Sequence, residues 1–481
     1  HRELQQWQLQ LLIFVGGSSW IDRSDVHCLR ACLNTAMKFT PTGYNDPIFA
    51  GAFLGHIALV LVWIGYSAAT GKYQVVESAG GVVALFRGEA SVLVAPSPAV
   101  SFTALLFGSI IFALVWSGIW LLLLNICPAE IVRISLVFAP CMFALMTLLC
   151  IIQGNLIGAV MSALGVAIFA VYAYFVWHRV ALTAALFNSL SKTYQKAGGV
   201  FLVAFGAVLL QAVWMVVWAL AVIPVKNGGH GLGVFFVFFI SFFWGYQVIA
   251  NVLYVAVGGV AARHYFNEQV DGAVMTSTKQ AATNYLGSIC YGSLIIAVIQ
   301  ALRAMCQMAK DQARENENAV AVVALMVADC FLGCLESLAQ FFNTYVFAYV
   351  AVFGMNFSDA SGKVWELLQN SDADCLLNYS LTGTVTFFAC FAAGLVDAIL
   401  TSFCAWRLHL EHTEIFGAAL LGFIIGLAVM SVVSYIMEAG VTTLFVCFAE
   451  SKELLSSFDP ELSQAFNDNL DAAREKQNIV K

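Results

Sequence analysis

Residues 199–224 read GVFLVAFGAVLLQAVWMVVWALAVIP, and residues 233–260 read GVFFVFFISFFWGYQVIANVLYVAVGGV. Neither stretch contains Asp, Glu, Lys or Arg. A helix of about 20 such residues crosses the roughly 30 Å hydrocarbon layer of a bilayer. Within lipid the backbone must satisfy its own polar groups, so each stretch reads as a membrane-spanning helix. The short alternating segments of a transmembrane barrel are absent. Working outward, comparable runs occur at 48–69, 99–124, 131–152, 154–177, 285–306, 319–353, 379–404 and 417–448. The predicted fold class is therefore all-α, a polytopic transmembrane bundle of about ten helices. The eighth and tenth runs are long enough that each is expected to contain a bend or an interfacial turn.

Composition agrees. Of 481 residues, 61% are hydrophobic and 11% are charged, against about 25% charged in ordinary soluble domains. Mean hydropathy is +0.84. The net charge of −7 and the lack of a dense basic patch argue against nucleic acid as a partner. Most of the 13 cysteines lie inside apolar runs, for example Cys141, Cys150, Cys290, Cys390 and Cys404, where a thiol behaves as a small hydrophobe. They do not suggest a disulfide framework.

Three divisions follow: an N-terminal cytoplasmic or interfacial segment over 1–47, a membrane domain over 48–448 and a cytoplasmic tail over 449–481. The apolar run Leu9–Val15 is too short to span and is expected at the interface. Segment 178–198, with Arg179, Lys192 and Lys196 among apolar residues, predicts an amphipathic helix lying on the membrane surface. Asp459-Pro460-Glu461 is a helix start, an N-cap followed by proline in the first turn. Both termini are placed inside. The excess of Lys and Arg that supports this comes only from the two tails, and the sequons at Asn356 and Asn378 fall on the inner side of that topology.

Polar and aromatic residues form stripes within the apolar background. Trp244, Gln247, Asn251, Tyr254 and Gly258 share one helical face of the sixth span. Gln211, Trp214 and Trp218 do so in the fifth, and Asn284, Ser288 and Tyr291 at the start of the seventh. In lipid such stripes turn inward. Lined by ring faces, they suit an organic cation, since a quaternary ammonium needs no hydrogen-bond partner. The alternative is that the rings pack or anchor the interface. The candidate substrate-binding residues are thus Trp214, Trp218, Trp244, Gln247, Asn251, Tyr254, Ser288 and Tyr291.

Acids within spans are candidates for charge coupling. Asp329, Glu336, Gln340 and Asn343 share a face of the eighth span. Glu438 and Asp397 stand alone in apolar runs. Glu336 and Glu438 are the acids singled out, Glu438 as a counter-charge for a cation or as a proton carrier, with snorkelling to the surface as the bland reading. No cofactor is expected. His409 and His412 near Glu411 and Glu414 do not make a converging metal site. The glycine-rich run from Gly228 to Gly233 lacks the Lys-Ser/Thr of a phosphate cradle. Gly422/Gly426 and Gly154/Gly158 read as close-packing pairs. No nucleophile–base pair points to an enzyme.

The string Leu286-Gly287-Ser288-Ile289-Cys290-Tyr291-Gly292-Ser293-Leu294-Ile295-Ile296-Ala297, then Gln300 and Arg303, resembles the signature of the choline-transporter-like family. Trp244, Asn251 and Tyr265-Phe266 agree with it, as do Cys334-Leu335-Glu336, Asn343, Tyr345, Gly354, Phe357, Trp365 and Leu367-Leu368. Leu444-Phe445-Val446-Cys447-Phe448-Ala449-Glu450 closes the match. The resemblance implies ten spans, both termini cytoplasmic, and transport of choline or, in some members, ethanolamine. Glu438 lines up with a family glutamate, although Met437 and Ala439 flank it here, and Thr442 stands where the family commonly has Asp. The expected function is transport of choline or a related small organic cation by alternating access. The alternative is a non-transporting scaffold or accessory subunit associated with other membrane proteins. The expected partners are the cation and membrane lipid, and the plasma membrane is favoured over an organelle.

Overall fold

The computed structural model describes residues 43–70, 98–227, 232–266, 272–370, 374–451, 459–460, 462–465 and 467. Leu9–Val15, most of loop 70–98, Gly228–Gly231 and most of the tail lie outside these.

Among the described residues the principal α-helices follow in order: α1 (Pro47–Ala69), α2 (Pro98–Ile126), α3 (Pro128–Ile152), α4 (Leu156–Val176), α5 (Val180–Lys196), α6 (Gly199–Asn227), α7 (Leu232–Tyr265), α8 (Ala273–Ala282), α9 (Leu286–Glu315), α10 (Ala319–Phe353), α11 (Phe357–Asn370), α12 (Asp374–Arg407) and α13 (His412–Glu450). The described residues contain no strand, and ten stretches among them are long and apolar enough to cross a membrane. The chain is an all-α polytopic bundle.

Local chemistry sets the helix ends. Proline opens α1 and α3, where its missing N–H is not needed. Asn155 and Asn318 cap α4 and α10 by accepting the amides of Gly158 at 3.0 Å and Ala321 at 3.1 Å. Glu411 and Glu414 form a capping box at the start of α13, which gives these two acids a structural task. Gly354 ends α10 at φ 62°, the left-handed region glycine enters freely. In the tail, Asp459 Oδ1 accepts the Leu462 amide at 3.1 Å, the cap its sequence suggests.

Two expectations are corrected. Segment 178–198 does form an amphipathic helix, α5, but its apolar face packs on protein. Leu186, Phe187, Leu190 and Tyr194 are buried, and the Ser191 hydroxyl reaches the Leu121 carbonyl of α2 at 3.0 Å. An apolar face with interspersed hydroxyls can be read by protein as well as by lipid. The long runs also contain no non-helical turn: α10 is continuous helix over 35 residues and α13 over 39. No proline interrupts either. At 1.5 Å per residue α13 is about 58 Å long, roughly twice the hydrocarbon thickness.

The outer surface is apolar, as in Ile157 and Leu202, because lipid replaces water as solvent. The interior joins α7, α9, α10 and α13. Against α13 lies α12. An added methyl at Gly426 would stand 2.6 Å from the Ala393 carbonyl, and one at Gly422 would stand 2.8 Å from the Asp397 carbonyl. This is the close packing that small residues allow. Asp397 itself accepts the hydroxyls of Ser109 at 2.8 Å and Thr401 at 3.1 Å, joining α2 to the pair.

The residues before α1 tie distant parts together. Asn45 Nδ2 donates to the carbonyls of Gly354 and Met355, each at 2.8 Å. Asp46 Oδ2 accepts the Ser288 hydroxyl at 2.6 Å and the Phe357 amide at 2.8 Å. Gly287 is required there, since a side chain would collide with the carbonyls of Asn45 and Asp46.

Candidate functional site

Near the midpoint of α7, Gln247, Asn251 and Tyr254 face a cavity of about 430 Å³, within the usual range for small ligands. Gln211 comes from α6, Gln340, Asn343, Thr344 and Phe347 from α10, Tyr379 from α12, and Ser431, Tyr435 and Glu438 from α13. Tyr246 completes the aromatic set. α6, α7, α10 and α13 contribute residues spaced by three, four or seven, so one face of each meets the cavity, and α9 and α12 add Ile296 and Tyr379 alone.

Hydrogen bonds fix the wall. Asn251 Nδ2 donates to Ser293 Oγ at 2.9 Å, and Asn343 Nδ2 to the Gly292 carbonyl at 2.8 Å. The Tyr254 and Tyr435 rings meet edge to face with centroids 5.7 Å apart. Glu438 is the only charged side chain among the described residues lining the cavity. Among the described residues no hydrogen bond or ion pair reaches its carboxylate. The arrangement is an acid among phenol rings in an otherwise uncharged chamber. Such a site attracts a small cation through its charge and through ring faces.

A polar ladder leaves the cavity. Gln247 Nε2 donates to Gln300 Oε1 at 3.2 Å. Gln300 and Gln340 both donate to Glu336 Oε1, at 2.8 and 3.2 Å. Glu336 pairs with Arg303 at 2.5 Å, and Arg303 also reaches Asp329 at 3.2 Å. Lys310 lies 3.5 Å from Asp329.

Of the residues singled out from sequence, Gln247, Asn251, Tyr254 and Glu438 come together in this cavity. Glu336 stands one step back, paired with Arg303. The three tryptophans line other surfaces. Their indole nitrogens donate to backbone carbonyls: Trp214 to Phe242 at 3.0 Å, Trp218 to Phe238 at 2.8 Å and Trp244 to Cys290 at 3.0 Å. Ser288 is engaged by Asp46, and Tyr291 packs between Phe49 and Phe357, with centroids 4.1 and 4.6 Å away. Tyr246, Tyr379 and Tyr435 were not singled out from sequence. Ser431, Tyr435 and Glu438, spaced by four and three, carry the signal that finds Tyr435.

A family profile described as plasma-membrane choline transporter matches residues 159–453. The chain belongs to the choline-transporter family. The match contains every cavity-lining residue. A CTL-like protein of Dictyostelium discoideum is 28% identical over 318 residues, covering 62% of this chain and 56% of that protein. Protein PNS1 of Mycosarcoma maydis is 26% identical over 447 residues, covering 87% and 82%. Protein PNS1 of Yarrowia lipolytica is 30% identical over 257 residues, covering 50% and 44%. The chain thus spans about half the length of the first and third of these relatives. As a choline-transporter-family chain with ten span-length apolar helices, it is an integral multi-pass membrane protein.

Proposed function

We propose that the chain moves choline or a closely related small organic cation across the membrane, with Glu438 as counter-charge and Tyr254, Tyr379 and Tyr435 as ring faces. The observation that carries this reading is the unpaired Glu438 carboxylate among phenols in a chamber of about 430 Å³. A trimethylammonium group has no N–H to donate, and a ring-lined acidic chamber asks for none. Ethanolamine, with its N–H donors, can use Asn251 and Gln340 instead. Transport by alternating access fits a site built at mid-membrane from several helices. An open polar chamber favours this over a scaffold, whose core side chains would plug. The family description supports the plasma membrane as location.

The test is uptake of radiolabelled choline into proteoliposomes, with ethanolamine as competitor. Saturable uptake that falls in Glu438→Gln is expected. Uptake no greater than in protein-free liposomes overturns the proposal.

A further inference from the structure

A second cavity lies behind the wall of the first. Its volume is about 540 Å³, and α1, α6 and α7 line it, with α8 and the start of α9 at one end. The lining is apolar apart from Thr278, the only hydroxyl among its described residues. The Thr278 Oγ1 is buried without a hydrogen-bond partner. The rim residues Leu61, Leu210 and Val213 are exposed, so the groove opens sideways toward lipid. Along α6 it runs from Val203 to Val217, about 21 Å at 1.5 Å per residue.

Three features select an occupant. An apolar groove does not hold water, so hydrocarbon is the fitting content. Gly206 on α6 leaves open space, since a methyl added there would meet nothing within 4 Å. The α8 end carries the Thr278 hydroxyl, and two lysines stand near it along the chain. Lys279 follows Thr278, and Lys196 ends α5 just before α6, both exposed. Gly199 at the start of α6 packs on Val274 of α8, which brings these elements together. A groove that is apolar along its length with lysines on the elements at one end has the polarity of an anionic lipid.

We propose that this groove seats one acyl chain of an anionic membrane phospholipid, with its phosphate toward Lys279 and Lys196. Ala207 and Leu253 line both cavities, so the chain bears on the back of the cation site. Binding does not depend on the transport reading and is measured separately from it.

The experiment is native mass spectrometry of the full chain, relipidated with palmitoyl-oleoyl phosphatidylglycerol or phosphatidylcholine. One retained phosphatidylglycerol per chain is expected. It should be favoured over phosphatidylcholine by about fivefold for each contributing lysine. Gly206→Phe should lose it, and Leu210→Trp at the rim supplies a second plug should the first fail to fold. Lys196→Gln with Lys279→Gln should erase the headgroup preference while the groove stays usable. Equal retention by wild type and a folded plugged variant overturns the proposal. So does a lipid-free dimer whose groove is filled by a second copy.

Discussion

The Tyr435 phenol lies 3.3 Å from Asn251 Oδ1, which joins α13 to α7 beside the chamber that holds Glu438. The Asn251 amide nitrogen is already committed to Ser293 on α9. One asparagine therefore holds three helices around the site, and Glu438 sits one helical turn beyond Tyr435. Tests of the site must separate loss of this scaffold from loss of binding.

Glu438→Gln does so. It removes a charge with no partner in the protein and retains shape. Losing a desolvated charge contact to a bound cation costs about 2 kcal/mol or more, roughly thirtyfold in affinity. Choline KM in proteoliposomes should rise by that order, while the amount of protein in the membrane stays at the wild-type level. An unchanged KM would make Glu438 a bystander.

The tyrosines give a graded series. A cation over a desolvated ring is worth about 2 kcal/mol, so Tyr379→Leu should weaken choline binding by roughly thirtyfold. Tyr379→Phe keeps the ring and should be mild. Trp218→Leu should leave affinity unchanged and lower thermal stability, because Trp218 spends its indole on the Phe238 carbonyl. Equal affinities for the Leu and Phe variants of Tyr379 would reduce that ring to packing.

The seam between α12 and α13 should tolerate no added volume at Gly426. Overpacking costs about 1–3 kcal/mol, and the obstacle here is the Ala393 backbone carbonyl. Gly426→Val should lower the melting temperature of the detergent-solubilised protein. Gly206→Ala, with open space around it, should not.

Topology is tested by cysteine labelling in a background without the native cysteines. Lys196→Cys and Gly229→Cys flank α6, so an impermeant reagent should reach them from opposite sides, with Lys196 inside. Labelling of both from one side would take α6 out of the membrane.

The helical spans are legible in the sequence because the apolar runs are long, with few charges in any of them, and lipid demands them. The site is legible where polar residues interrupt such a run. Gln247, Asn251 and Tyr254 share one face of α7, and that face meets the cavity. Trp214 and Trp218 obey the same spacing as Gln211, yet their N–H groups are absorbed by carbonyls of α7. Periodicity gives the direction of a side chain along its own helix, and the partner across from it decides between chamber and packing. The burial of α5 escapes sequence reading for the same reason. Tyr379 shares a face of α12 with Thr382 and Thr386, but only the assembled bundle brings it to Glu438.

The contacts of Asp46 also set an order of events in synthesis. Phe357 follows it by 311 residues. At about 5–20 residues per second, roughly 15–60 s separate the two as they leave the ribosome. Ser288, 242 residues after Asp46, is made within that interval, and Phe357 is the later of the two partners. The turn before α1 can therefore engage the start of α9 first, and the join closes only after the start of α11 has been translated. A chain stopped before Phe357 carries the first ten helices but cannot complete this join.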